Sequence, residues 1–283
     1  MAGAGKKWAI GCGIGCGLVL IILGGVGTCS YFAFKDIKTD AEGLDAGREQ
    51  LRAEFGAAED YTPNADGTVD AARLETFLAV REAIEPARRE MSDMLSTLDG
   101  DAGIASKFKA GMKMVSSVMG FVGERNRVLL EQGMGVGEYR YLYTVAYFGM
   151  LGKDPADGPS FVLAGDGDHE DDGGVRMTWN NDDEDEVRDG RARFVRREVH
   201  RLQTAILENQ LAALESTVPA AGDPWTATLQ AEVAAMRAES LRFAWEEGLP
   251  DPLRASLEPF RDRLEAGYDP MTSLVELGFG HDD

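Results

Sequence analysis

KFKAGMKMVSSVMGFVGERNRVLL, residues 107–130, decides the fold class. Phe108, Met112, Val115, Met119, Val122, Asn126 and Leu129 recur at alternating spacings of three and four, the period at which side chains line one face of an α-helix. Alternation of the strand kind is absent. GMGVG at 133–137 then ends the run.

The same period extends on both sides. Upstream, Leu74, Phe77, Ile84, Met91, Leu95 and Leu98 make an apolar stripe that Arg81 and Arg88 interrupt, and Pro86 divides. Downstream, EYRYLYTVAYFGML at 138–151 reads two ways. Tyr139, Tyr141, Tyr143, Val145 and Tyr147 alternate as in a strand, while Leu142, Ala146 and Met150 suit a helix, and the helical neighbourhood favours helix. Val195, Val199, Leu202, Ile206, Asn209 and Ala213 resume the helical stripe and stop before Pro219. Asp223 followed by Pro224 predicts a capped helix carrying Leu229, Val233, Met236 and Phe243 as far as Gly248. In LPDPLRASLEPFRDRLEAGYDP, Leu253, Leu257, Phe260, Leu264 and Tyr268 predict a last helix. The expected fold is all-α, a bundle of about five to seven helices over residues 70–283.

Residues 153–190 interrupt it with 13 acids and six glycines, too polar to bury much, and predict a long solvated acidic loop. FVLA and VRMTW inside it could pair as a marginal hairpin.

Residues 8–34 carry no charge. As a helix they would span about 40 Å, more than a hydrocarbon core of about 30 Å. Trp8 at one end and Tyr31, Phe32 and Phe34 at the other occupy the positions of interfacial rings. The expectation is a transmembrane anchor at 8–34, a cytoplasmic N-terminus at 1–7, a juxtamembrane stalk and lead-in at 35–69, and an extracytoplasmic body. Lys6, Lys7 and the amino terminus precede the segment, while Lys35 and Lys38 after it are offset by Asp36, Asp40 and Glu42, and this charge balance favours that orientation. Two alternatives stay open. VGTC at 26–29 resembles a lipobox, which would make Cys29 a lipidation site, although Thr28 departs from the usual small residue. A cleaved signal peptide is the other, and the run is long for one. GCGIG and GIGCG within 11–17 have the small-xxx-small spacing that lets two such helices approach, so self-association through the anchor is a candidate contact.

The formal charge of the 283 residues is -20, and from Asp36 onward 26 basic face 49 acidic residues. Such a body repels phosphate backbones, which excludes nucleic-acid binding as an expected function. Cys12, Cys16 and Cys29 all lie in the uncharged segment, so the body has no disulfide and no Cys-based metal site. The bias to Ala, Gly, Asp, Glu and Arg with eight lysines fits a high-GC bacterial source.

Candidate sites are sparse. Asn64, Asp66, Gly67, Val69 and Asp70 sit at EF-hand offsets, but Thr62 stands first and Arg73 last, where calcium needs carboxylates. A glycine turn leading into an Asp-capped helix accounts for the same residues. Asp168, Glu170 and Asp172 in DHEDDGGVRMTW at 168–179, where Trp179 replaces the closing Glu, are weak metal candidates together with Asp166 just before it, and their charge would attract divalent cations only loosely. The three histidines, His169, His200 and His281, form no HExxH, and the body has no GxSxG and no phosphate loop. No catalytic constellation and no cofactor site is therefore expected. The enzyme alternative is a groove holding Asn126, Glu138, Tyr139 and His200. Asn126 and Asn209 fall on apolar stripes and could bond to each other if their helices face. Tyr139 and Tyr143 could line a groove for a peptide or lipid, though core packing accounts for such aromatics. Arg188, Arg191, Arg193, Arg196, Arg197 and Arg201 follow DDEDE at 182–186, and intrachain ion pairing is expected of them rather than lipid contact.

GMGVGEYRYLYTVAYFGMLG, ENQLAALE and GLPDPLRASLEPFRDRLEAGYDP resemble segments of bacterial envelope proteins anchored to the membrane at their N-terminus. The resemblance implies export and a helical body. It implies no activity, and no site residue carries over.

Overall fold

A computed structural model of the chain describes residues 43–99, 104–159, 162–164, 176–178, 184–217 and 223–278. Residues 46–283 belong to one compact unit, with the boundary after Asp45. Its fold is all-helical, as the periodicity predicts. Helix α1 covers 43–55, followed by a 3-10 turn at Ala58–Asp60. Then come α2 (Ala71–Ala83), α3 (Glu85–Asp99), α4 (Ile104–Gln132) and α5 (Val136–Tyr143), which runs into a π-helical turn at Thr144–Met150. Two three-residue strands, β1 (Val162–Ala164) and β2 (Arg176–Thr178), pair antiparallel with Val162 opposite Thr178, the short hairpin that the loop sequence allowed. The remaining helices are α6 (Glu184–Thr217), α7 (Pro224–Ala238), α8 (Asp251–Leu257), α9 (Arg261–Gly267) and α10 (Ser273–Leu277).

Pro86 splits the first stripe as expected, since a proline ring cannot sit in a continuous helix interior. Leu74, Phe77, Ile84, Met91 and Leu95 all point inward. Helix α3 packs on α4, and α6 on α7. Tyr139, Tyr141, Tyr143, Val145 and Tyr147 are all buried, together with Leu142 and Ala146. That explains the double reading of 138–151, because a helix buried on every side satisfies either period.

Several expectations are corrected. Among the described residues the helices exceed five to seven because the predicted last helix is broken at Glu258–Phe260 by a 3-10 turn around Pro259, because α10 carries no sequence signal, and because α1 lies in the expected stalk. The unit begins at residue 46 rather than 70, and its lead-in is packed rather than stalk-like: Leu51 is buried, and Asn209 and Gln210 of α6 donate to the carbonyls of Glu59 and Asn64. The acidic loop 153–190 is shorter at both ends. Residues 153–159 pack on the body, where buried Arg191 donates to the Ala156 carbonyl, and α6 already starts at Glu184.

Asp223 caps α7 as predicted, its Oδ2 accepting from the Thr226 amide at 2.9 Å. Asp223→Ala should cost about 1 kcal/mol of stability, read as a lower urea midpoint at unchanged slope.

Residues 8–34 and Cys29 lie outside the described residues. Among the described residues no helix is long and apolar enough to cross a membrane.

Candidate functional site

Two polar features sit within the helical body. The first is a closed ionic knot. Arg81 and Arg88, the two interruptions of the α2–α3 stripe, point inward with their apolar neighbours, toward Glu276 on α10. Glu276 has no exposed surface. It is ion-paired to Arg81, accepts from Tyr139 Oη at 3.2 Å and Thr272 Oγ1 at 3.0 Å, and lies 3.8 Å from Arg88. Arg81 and Arg88 also donate to the Gly267 carbonyl. Arg125 and Arg140 reach the carbonyls of Glu276 and Gly278, each at 2.8 Å, and so satisfy the C-terminal end of α10. The Arg81 guanidinium stacks 4.9 Å from the Tyr147 ring and 5.2 Å from Tyr143. Burial alone would lower the Arg81 pKa, but Glu276 and the surrounding phenols outweigh it and raise it. Burial likewise pushes the Tyr147 phenol up to about 12, partly opposed by Arg81. These contacts tie α2, α3, α4, α5 and α10 together.

The second feature is an open pocket of about 390 Å³. One wall is the π-helical turn with Thr144, Phe148 and Gly149, continued by Gly152–Pro155; the other is Arg196 of α6 with Phe243, Ala244 and Glu246. The π turn places Tyr143 and Phe148, five residues apart, in edge contact at 6.1 Å, which an ordinary helical turn would point apart. Gly152, at φ 61°, ends that turn, and the Lys153 amide reaches back to the Tyr147 carbonyl. Across the pocket, Phe148 and Phe243 stack at 5.2 Å with 8° between their planes. Leu241 (φ 73°) and Trp245 (φ 62°) flank Phe243 and Ala244, and they are the two non-glycine residues of positive φ among the described residues. Each such conformation costs about 1–3 kcal/mol and persists only where the surroundings enforce it.

The enforcement is visible. Arg196, His200 and Gln203 lie on one face of α6 at spacings of four and three. Arg196 donates to the Leu241 carbonyl and stacks 4.6 Å over Phe243. His200 Nδ1 lies 2.9 Å from the Arg242 carbonyl, which can only accept, so that nitrogen carries the proton. Gln203 accepts from the Ala244 amide and donates to Thr144 Oγ1, joining the two walls. From α7, Glu232 accepts from the Trp245 amide and pairs with Arg242.

At the near rim, burial would raise the Asp154 carboxyl, but the Ala156 amide and Arg188 outweigh it and hold it below the usual carboxylate range. A lowered pKa means stability that is present above the unfolded value and lost as pH falls through the folded one. The protection of the Ala156 amide against hydrogen exchange, relative to an unfolded chain at the same pH, should therefore fall as pH drops below about 4.

The sequence candidates fall elsewhere. None of Asn126, Glu138, Tyr139 and His200 lines the pocket. Asn126 accepts from Arg125, Glu138 pairs with Arg73, Tyr139 joins Glu276, and His200 straps the 241–245 loop, so each has its own structural partner. Asn126 and Asn209 do not bond to each other; Asn209 goes to the Glu59 carbonyl at 2.6 Å. Tyr139 and Tyr143 are core residues and line no groove. At 62–73, Asp66 accepts from both the amide and the hydroxyl of Thr68, Gly67 sits at φ 73° against the Trp225 ring, and Asp70 occupies the N-cap of α2 without a side-chain capping bond. Among the described residues Arg188, Arg196, Arg197 and Arg201 of α6 form intrachain pairs, to Asp154, Asp157, Glu246, Glu198 and Glu59. Asp166, Asp168, Glu170 and Asp172 lie outside the described residues, as do His169 and His281. Among the described residues no group of three or more His, Cys, Asp or Glu could hold a metal ion.

Missed by sequence reasoning were Glu276 and the pocket residues. The two arginines on an apolar stripe signalled that a buried carboxylate was needed, but not which one. The chain matches no known protein-family model, no curated protein and no solved structure.

Proposed function

We propose that the chain is a single-pass protein of a bacterial cell membrane, held through residues 8–34, with its acidic helical body on the extracytoplasmic side serving as a binding or structural module rather than an enzyme. The observation that carries this reading is the uncharged run of 27 residues joined by a short connection to a compact, strongly acidic body. The interior supports it too, because the ionisable groups best suited to catalysis are committed to ties between helices.

The test is topological. Protease added to intact spheroplasts should digest the body, and deletion of residues 1–35 should move the protein from the membrane to the soluble fraction. Full protection would overturn the orientation, and unchanged membrane association would overturn the anchor. Mass spectrometry separates the neighbouring readings: an intact N-terminus supports the anchor, and a mature chain starting at a diacylated Cys29 replaces it with a lipoprotein.

A further inference from the structure

We infer that the pocket between the π-helical turn and the 241–246 segment binds a small organic carboxylate with an apolar or aromatic body. The inference rests on reading the body as a binding module, and it is independent of residues 8–34.

Three observations converge. The pocket walls combine the π turn Thr144–Met150 with the segment containing the two strained non-glycine residues. Such backbone concentrates at ligand sites because a packed fold otherwise relaxes it away. The strain is also maintained by buried or half-buried polar side chains from two helices, Arg196, His200, Gln203 and Glu232, which hold Phe243 and Ala244 at the pocket wall. An ordinary loop needs no such strapping. Finally, the lining is chemically divided. Phe148 and Phe243 give it an apolar side, while Lys153 and Arg196 bring two cations to it from different elements and Asp154 and Glu246 two carboxylates, Asp154 being taken up by Arg188 and the Ala156 amide.

The cations select the charge of the ligand. Arg196 is paired at 2.7 Å with Glu246, and Lys153 at 2.8 Å with Glu265, whose side chain is 59 % exposed. Partly exposed pairs of this kind contribute little, so exchanging one for a ligand costs almost nothing. A carboxylate replacing Glu246 on Arg196 would gain the planar two-point contact that guanidinium favours. Lys153 would add attraction from the other wall, and the ligand body would lie against Phe148. The volume is at the small end of ligand sites, the size of a phenyl ring with a short acid chain.

The probe is 3-phenylpropionate, titrated into the full chain in non-ionic detergent micelles and followed by ligand-observed NMR, with empty micelles as reference. For so small a ligand, binding near about 1 mM is expected. The neutral 3-phenylpropanamide and the cationic phenethylammonium should bind at least about tenfold more weakly, as loss of a charged hydrogen bond implies. Lys153→Gln should weaken the acid about tenfold, and Glu246→Gln should tighten it by freeing Arg196. Glu258→Gln, which removes an exposed charge outside the pocket, should leave it unchanged. Equal binding of the three probes, no binding of the acid at about 10 mM, or an unchanged affinity in Lys153→Gln overturns the proposal. Failure here leaves the spheroplast result untouched, and a wrong orientation leaves the titration untouched, so the two readings fail separately.

Discussion

Glu276→Ala should destabilise the body by about 3–5 kcal/mol, the cost of breaking a buried ion pair from one side. The substitution leaves Arg81, 2 % exposed, without its carboxylate in a site walled by Phe77, Tyr143 and Tyr147. It also takes an acceptor from Tyr139 and Thr272. For a unit of this length, each kcal/mol moves the melting temperature by about 2–4 °C, so calorimetry should register a fall of roughly 6–20 °C. Glu276→Gln keeps the shape and removes only the charge, and should recover less than half of the loss. The combined variant Arg81→Met with Glu276→Leu should be more stable than Glu276→Ala, because it removes both charges instead of stranding one. A loss below about 1 kcal/mol in Glu276→Ala would show that the knot is peripheral to stability.

The knot also marks where sequence reasoning stops. The periodicity of 74–98 identified the helices and placed Arg81 and Arg88 on the buried face, yet spacing carries no information about a partner 195 residues away in sequence. Glu276 lies in SLVEL, a helix of five residues. That is too short to show a period, and its glutamate looks like any solvent-facing one. The pocket was hidden for a different reason. Leucine and tryptophan do not advertise positive φ as glycine does, so Leu241 and Trp245 read as ordinary helix residues after Val233 and Met236. Similarly, nothing in TVAYFGM distinguishes a π turn from an α turn, since the extra residue is accommodated by long-range aromatic packing on Phe243 and Tyr268. Where the cause was local, the sequence was legible: Asp223 with Pro224, Pro86, and the turn at Asp66–Gly67 all act within four residues.

Gly137→Ala tests the remaining long-range feature, the docking of the lead-in. A Cβ at Gly137 would stand 2.2 Å from the Ala58 carbonyl oxygen and 2.9 Å from Tyr61 Cβ. The first of these is backbone, which no rotamer change relieves, so residues 58–61 must retreat from α5. That retreat pulls on the contacts holding the lead-in to the rest of the unit: Asn209 to the Glu59 carbonyl, Gln210 to Asn64, and the Tyr61 ring 5.6 Å from Tyr141. Overpacking of this kind costs about 3 kcal/mol, and the expected signature is a lower denaturation midpoint with hydrogen exchange accelerated at residues 57–64 before the rest. Gly120→Ala is the matched control. It lies exposed in the middle of α4 with nothing within 4 Å of an added Cβ, so the same methyl group there should stabilise by about 0.5–1 kcal/mol through helix propensity alone. Opposite signs at the two glycines would locate the effect in the 58–61 contact. A loss at Gly137 no larger than about 1 kcal/mol would mean that the lead-in yields freely and rests on the body without being anchored to it.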